Sequence, residues 1–171
     1  MWLVIDGYNL IAALNGEPLA LLDLEAERES LLSLLAEYRG LSQHRLTVIF
    51  DGGQACGNPR RQRYQGVEVV YSPLGRLADQ VLVEFAHRHG SGITVVTSDR
   101  EVASQSEGFG AVTLASDLFW SRLLSSLAAG GDGVEDEDEG RNAGRHLTRK
   151  KGNPRKLSRR ERQRRKRLER L

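Results

Sequence analysis

Short, nearly continuous apolar runs alternate along the chain with stretches of helical period. Residues 2–6, 46–51, 67–71, 93–97 and 111–114 read as strands. The β-branched character of Leu46-Thr47-Val48-Ile49-Phe50 and Ile93-Thr94-Val95-Val96-Thr97 fits strands covered on both sides. Leu24, Leu31, Leu34, Leu35 and Tyr38 recur near 3.6 spacing and predict a helix over 24–38, capped by Asp23 and ended by Gly40. Leu77, Val81, Phe85 and Arg88 predict another over 77–88, and shorter helices are expected over 100–107 and 117–128. Gly7 reads as a turn after the first strand, Gly52-Gly53 stop the second, and Ser72-Pro73 break the third. The segment carrying Arg60, Arg61 and Arg63 reads as a polar loop. Strands alternating with helices define an α/β class with a mostly parallel central sheet. No internal repeat is visible.

The core signal stops near Ala129, which divides the 171 residues into a domain over 1–129, a Gly-rich acidic linker over 130–147 and a basic tail over 148–171. A net charge of +2 hides strong segregation: −5 over residues 1–131, −6 over 132–140 and +13 over 141–171. A basic block of that density binds polyanions whatever the rest of the chain does. One cysteine, Cys56, excludes an intramolecular disulfide and fits a reducing compartment. The opening Met1-Trp2-Leu3-Val4-Ile5-Asp6 lacks the charged and apolar regions of a signal peptide, and no apolar run reaches the roughly 20 residues of a membrane span. A cytoplasmic protein is the expectation.

Asp6, Asp51 and Asp99 each close an apolar run, so parallel strands would bring their carboxylates to one edge. Ligands of such sheets bind beyond the carboxyl ends of the strands. Gathered carboxylates repel one another unless a cation sits among them, and oxygen-only donors suit Mg²⁺ or Mn²⁺. Asp79 opens the 77–88 helix, near its positive end. Asn9 is placed to orient Asp6 or a water, and Arg100 to hold phosphate bidentately. Each aspartate alone is equally a turn former or a helix cap, Asp117 above all. Their joint placement points to divalent-metal phosphodiester chemistry.

Other chemistries lack their residues. There is no Gly-x-x-x-x-Gly-Lys-Ser/Thr phosphate loop and no Gly-x-Ser-x-Gly elbow. His87 and His89 are two apart on a helix and face different ways, so they form no metal pair, and His44 and His146 carry no signal.

At Val4-Ile5-Asp6-Gly7-Tyr8-Asn9, Val48-Ile49-Phe50-Asp51-Gly52, Gly66-Val67-Glu68-Val69-Val70-Tyr71, Ala78-Asp79 and Val95-Val96-Thr97-Ser98-Asp99-Arg100, the chain resembles the YacP-like NYN domains, which are PIN-like ribonucleases. The resemblance covers roughly residues 2–128. It implies a PIN-like three-layer α/β/α domain and metal-dependent endonucleolytic RNA cleavage, in some members of ribosome-associated mRNA. It implies Asp6, Asp79 and Asp99 as the metal-binding acidic core, with Asn9, Asp51, Ser98 and Arg100 around it. Family members commonly carry Glu-Thr-Ala-Asp-Asp or Glu-Thr-Ala-Asp-Glu at the helix start. This chain reads Arg76-Leu77-Ala78-Asp79-Gln80, so two acidic positions are lost, and Arg76 becomes a candidate phosphate contact.

Arg60, Arg61 and Arg63 with neighbouring Tyr64 form a local basic patch, expected near the carboxyl edge, where arginine would hold phosphate and tyrosine stack on a base. In the tail, Lys150, Lys151, Arg155, Arg159, Arg160, Arg164, Arg165, Lys166 and Arg167 are expected to bind RNA or the ribosome with steep salt dependence. Too few apolar residues accompany them to fold alone, so the tail is expected to be disordered in isolation and helical when bound. Three readings follow: a metal-dependent endoribonuclease, a catalytically weak RNA- or ribosome-binding adaptor, and a phosphatase or DNA nuclease using the same acidic edge.

Overall fold

The computed structural model describes residues 1–15, 23–52 and 61–131. Six strands form one sheet: β1 (Trp2–Asp6), β2 (Arg45–Phe50), β3 (Arg61–Tyr64), β4 (Val67–Tyr71), β5 (Ile93–Val96) and β6 (Val112–Leu114). Their spatial order is β3-β4-β2-β1-β5-β6, parallel except for β3 against β4. Five helices cover it: α1 (Gly7–Asn15), α2 (Leu24–Ser42), α3 (Ala78–His89), α4 (Arg100–Gly108) and α5 (Ser116–Gly131).

The burial follows from the strand sequences. Leu3, Ile5, Val48 and Phe50 point to one face, where they pack with Leu31, Leu35, Tyr38 and Phe119 of α2 and α5. Val4, Ile49, Val70 and Val95 point to the other, against Val81, Leu82 and Phe85 of α3 and Val102 of α4. Both faces are dry, which is why these strands read as continuous apolar runs rather than alternating ones.

The chain leaves β1 toward β2 and β4 on one side, then crosses by α3 to β5 and β6 on the other. The order of strands therefore reverses beside β1, and the resulting crevice lies at the carboxyl ends of β1 and β5. Asp6 ends the central strand there.

Three local expectations are corrected. Gly7 is the first residue of α1, not a turn before a loop: a side chain at this position would collide with the Phe50 ring, so glycine permits close helix–sheet approach. Gly40 does not end α2, which continues to Ser42. Gln43 adopts the left-handed conformation (φ 53°) and donates its N–H to the Arg39 carbonyl. Asp23 caps α2 as expected, accepting from Glu25 N and Ala26 N at 3.1 and 3.3 Å.

The third correction concerns residues 61–64, which form an edge strand and not a loop. Arg63 pairs in register with Glu68 and Tyr64 with Val67, so this patch runs back from the carboxyl edge toward the opposite one. Among the described residues, no helix is long and apolar enough to cross a membrane.

Candidate active site

Asp6 is nearly inaccessible, with 6% of its surface exposed. The turn from β1 directly into α1 lets the Asn9 N–H donate to Asp6 Oδ1 at 3.1 Å, so the carboxylate serves the unpaired start of that helix. Thr97 Oγ1, just past β5, donates to Asp6 Oδ2 at 3.3 Å and accepts from Asp99 N at 3.1 Å. Burial, helped by the Asp79 and Asp51 charges and opposed by its two hydrogen bonds, holds the Asp6 carboxyl up at about 6.

Asn9 joins three elements. Its Oδ1 accepts from Ser98 N and Ser116 Oγ, both at 3.0 Å, while Ser98 Oγ accepts from Ser116 N at 3.0 Å. The Asn9 Nδ2 donors are left over from this network.

Asp51 and Asp99 have structural work as well. Asp51 Oδ1 accepts from Ala78 N at 2.6 Å and from Ser72 Oγ at 3.4 Å. It caps α3 from another strand, because Leu77, at the N-cap position, has no side-chain acceptor. Asp99 Oδ1 accepts from Glu101 N and Val102 N at 2.7 and 3.0 Å and caps α4. Both caps use Oδ1, and neither Oδ2 has a hydrogen-bond partner among the described residues.

Asp79 follows in the first turn of α3. Burial raises its carboxyl above the ordinary carboxylate range, helped by the charges of Asp99, Asp51 and Glu101. Asp79, Asp99 and Glu101 line a cleft of about 350 Å³ between α3 and α4. The four aspartates thus share one edge and feel one another, as the strand-end pattern predicts. Glu101 is an addition. In the sequence it looks like an acid in a helix's first turn, and only the α3–α4 approach brings it opposite Asp79. Thr97, just past β5, and Ser116, the first residue of α5, carry no local signal of this network either.

Among the described residues, no three His, Cys, Asp or Glu side chains converge tightly enough to chelate an ion. The donor set is still all oxygen, and Mg²⁺ takes one or two carboxylates with waters for the rest. Asp6 and Asp79, each raised by burial and by neighbouring negative charge, fit a hydrated divalent cation of that kind.

The basic candidates divide. Arg100 is exposed at the first position of α4, at the acidic edge. Arg76 is paired with Glu84 at 3.1 Å. Arg61 is paired with Glu68 at 3.3 Å. Tyr64 is half-buried on the α2 side of the sheet, with its hydroxyl 3.0 Å from Ser33 Oγ. The period-2 alternation of a strand thus puts it on the opposite face from Arg61 and Arg63. Arg60 and Cys56, the acidic run and the tail bases from Lys150 to Arg167 lie outside the described residues.

A mostly parallel sheet between two helical layers, with carboxylates gathered at its switch point, is the architecture of a PIN-like nuclease domain. The chain belongs to the YacP-like NYN domain family, whose model matches residues 3–169 and so runs through the acidic and basic segments. It is 31% identical over 101 residues to the uncharacterized protein YacP of Bacillus subtilis (strain 168), a match covering 57% of this chain and 59% of that protein. Its fold is similar to two crystal structures of Rae1 (YacP) from Bacillus subtilis. One has TM-score 0.61, 25% identity and coverage of 77% and 78% of the two chains. The other, of a mutant form of that protein, has TM-score 0.63, 24% identity and coverage of 75% and 77%.

Proposed function

We propose that this protein is a cytoplasmic Mg²⁺- or Mn²⁺-dependent endoribonuclease that prefers single-stranded RNA and is delivered to structured RNA or ribosomes by its basic tail. The observation that carries the reading is the buried Asp6 at the switch point, destabilised as an anion by burial and by Asp79 and Asp51. A protein keeps such an unfavourable cluster where a cation or a reaction uses it. Membership of a family of PIN-like nucleases supports the same reading.

Asp6 and Asp79 would hold the cation, with Asp99 and Glu101 adding their negative charge from the same cleft. Bound there, the cation's contribution is positive charge against the scissile phosphate and a lowered pKa for the attacking water. Asn9 Nδ2 and the Arg100 guanidinium donate to non-bridging phosphate oxygens and fix the strand in line for attack. The Asp51 and Asp99 caps hold α3 and α4 so that Asp79 keeps its position opposite Asp6.

The test is purified protein on labelled RNA and DNA with Mn²⁺ or EDTA, comparing wild type with Asp6→Asn and Asp79→Asn. Metal-dependent cleavage of RNA that both substitutions abolish is the expected result. RNA binding without cleavage, insensitive to Asp6→Asn, would sink it. That outcome favours the second reading, a catalytically weak RNA- or ribosome-binding adaptor, which rests on Arg76 being tied to Glu84 where the family carries an acid.

A further inference from the structure

At the opposite, amino-terminal edge of the sheet lies a concentration of arginine that the acidic site does not use. Two shallow concavities meet at Arg45. One holds Arg61 and Arg88 beside Trp2, the other Arg39 and Arg63. Five of the nine arginines among the described residues line these concavities, Arg61 by reaching back from a backbone position in register with Val70, on a segment whose net charge is −5.

These charges are under-compensated. Arg45 and Arg61 share one carboxylate, Glu68, at 3.4 and 3.3 Å. Arg88 shares Glu84 with Arg76. Arg39 and Arg63 have no carboxylate within ion-pairing distance among the described residues. Helix ends explain part of this: Arg39 and Arg88 sit in the last turns of α2 and α3, where cations offset the helix dipole. Arg45, Arg61 and Arg63 lie on strands and have no such reason.

The aromatic setting is equally specific. The Arg45 guanidinium lies 3.7 Å from the Trp2 ring centroid, and His89 packs on the same indole at 4.5 Å. Trp2 Nε1 is fixed by Thr47 Oγ1 at 2.9 Å. A guanidinium held over the half-buried Trp2 ring is a donor already ordered for phosphate.

We infer that this amino-terminal edge is a second RNA-binding surface, holding the phosphate backbone of a single strand whose other part reaches the acidic edge. RNA as the ligand rests on the proposed nuclease reading. The two edges are separated by the length of β1, about 15–17 Å for five residues, so one strand of moderate length can wrap from one to the other. An acidic cleft repels its own substrate, and a basic surface around the corner supplies the attraction it lacks.

The test measures binding of the full chain to a labelled 20-nucleotide single-stranded RNA in EDTA, across salt concentrations. Cleavage plays no part in it, so failure of the nuclease reading leaves this measurement intact. Arg39→Ala combined with Arg63→Ala removes two charges without stranding a carboxylate. It should weaken binding at least threefold at 0.1 M salt and lower the log–log salt slope by about 1.4, roughly 0.7 per lost phosphate contact on a single strand. Arg122→Ala, on exposed α5 surface, controls for bulk charge and should change neither. Glu68→Gln, which releases Arg45 and Arg61, should tighten binding. Melting curves establish that each variant folds. Affinity and slope unchanged by both patch variants, or changed no more than by Arg122→Ala, overturn the proposal, including when an acidic peptide is found to bind there instead.

Discussion

Replacing Asp6 by asparagine should abolish activity and stabilise the protein. In the folded state the Asp6 carboxyl titrates at about 6, against an ordinary value of 3.8. At neutral pH folding must therefore keep it ionised where burial and two neighbouring carboxylates oppose that. A rise of about 2 units corresponds to ~3 kcal/mol of stability withheld at neutral pH. With only 6% of the residue exposed, solvent screening removes little of this. The replacement amide keeps the oxygen that accepts from Asn9 N. Its new N–H group can donate to Thr97 Oγ1, which already accepts from Asp99 N and has a second lone pair. Allowing about 1 kcal/mol for a less favourable network, a net gain of about 2 kcal/mol is expected at pH 7.5.

The pH dependence separates this cause from a general effect on packing. A carboxyl raised in the folded state helps folding fully below 3.8, and that help is lost as pH rises through about 6. The advantage of Asp6→Asn should therefore be large at pH 7.5 and mostly gone by pH 4. Urea unfolding of both proteins at the two pH values, in EDTA, measures it. An advantage equal at both pH values, or a loss at pH 7.5, would refute the reasoning. In the same assay, Mn²⁺ should stabilise the wild type and leave the variant nearly unmoved, since a ligand stabilises only the state that binds it.

Asp51→Ala should cost about 1–2 kcal/mol by uncapping α3, and should lower activity more than that loss explains, because α3 carries Asp79; denaturation midpoints beside cleavage rates check it. Gly7→Ala should destabilise by about 1–3 kcal/mol through overpacking against Phe50, while Gly40→Ala, in open space, should be neutral or slightly stabilising; unfolding curves distinguish the two. Thr97→Val removes a hydrogen bond that favours ionised Asp6, so its carboxyl should rise further and the acid limb of the activity profile should move to higher pH; a limb that stays put argues against Asp6 being the group that titrates.

The sheet was legible because each buried strand is both apolar and β-branched, and the acidic edge because parallel strands deliver their last residues to one side. What local pattern could not carry was decided by contacts distant in sequence. Helix α1 was hidden by Gly7, whose role is set by Phe50, 43 positions away. The strand Arg61–Tyr64 was hidden because an exposed edge strand needs no apolar alternation, and its Glu68 pairings are visible only once β4 lies beside it. The double role of Asp51 as cap for a helix 27 residues on has no sequence signature at all. The same holds for Glu101, which becomes part of the acidic cleft only through the packing of α3 on α4.

Two of the four aspartates, Asp51 and Asp99, are committed through one oxygen to capping α3 and α4, while Asp6 and Asp79 carry the raised carboxyls. That division explains how the domain keeps an acidic cluster without unfolding. The caps stabilise helices by neutralising their unpaired N–H groups, and α3 in turn holds Asp79 near Asp6 at the end of β1. A substitution at a capping aspartate and one at a strained aspartate should therefore both reduce activity with opposite effects on stability. The sign of the stability change, more than the loss of activity, separates the carboxylates held ionised against burial from those whose main structural work is to cap α3 and α4.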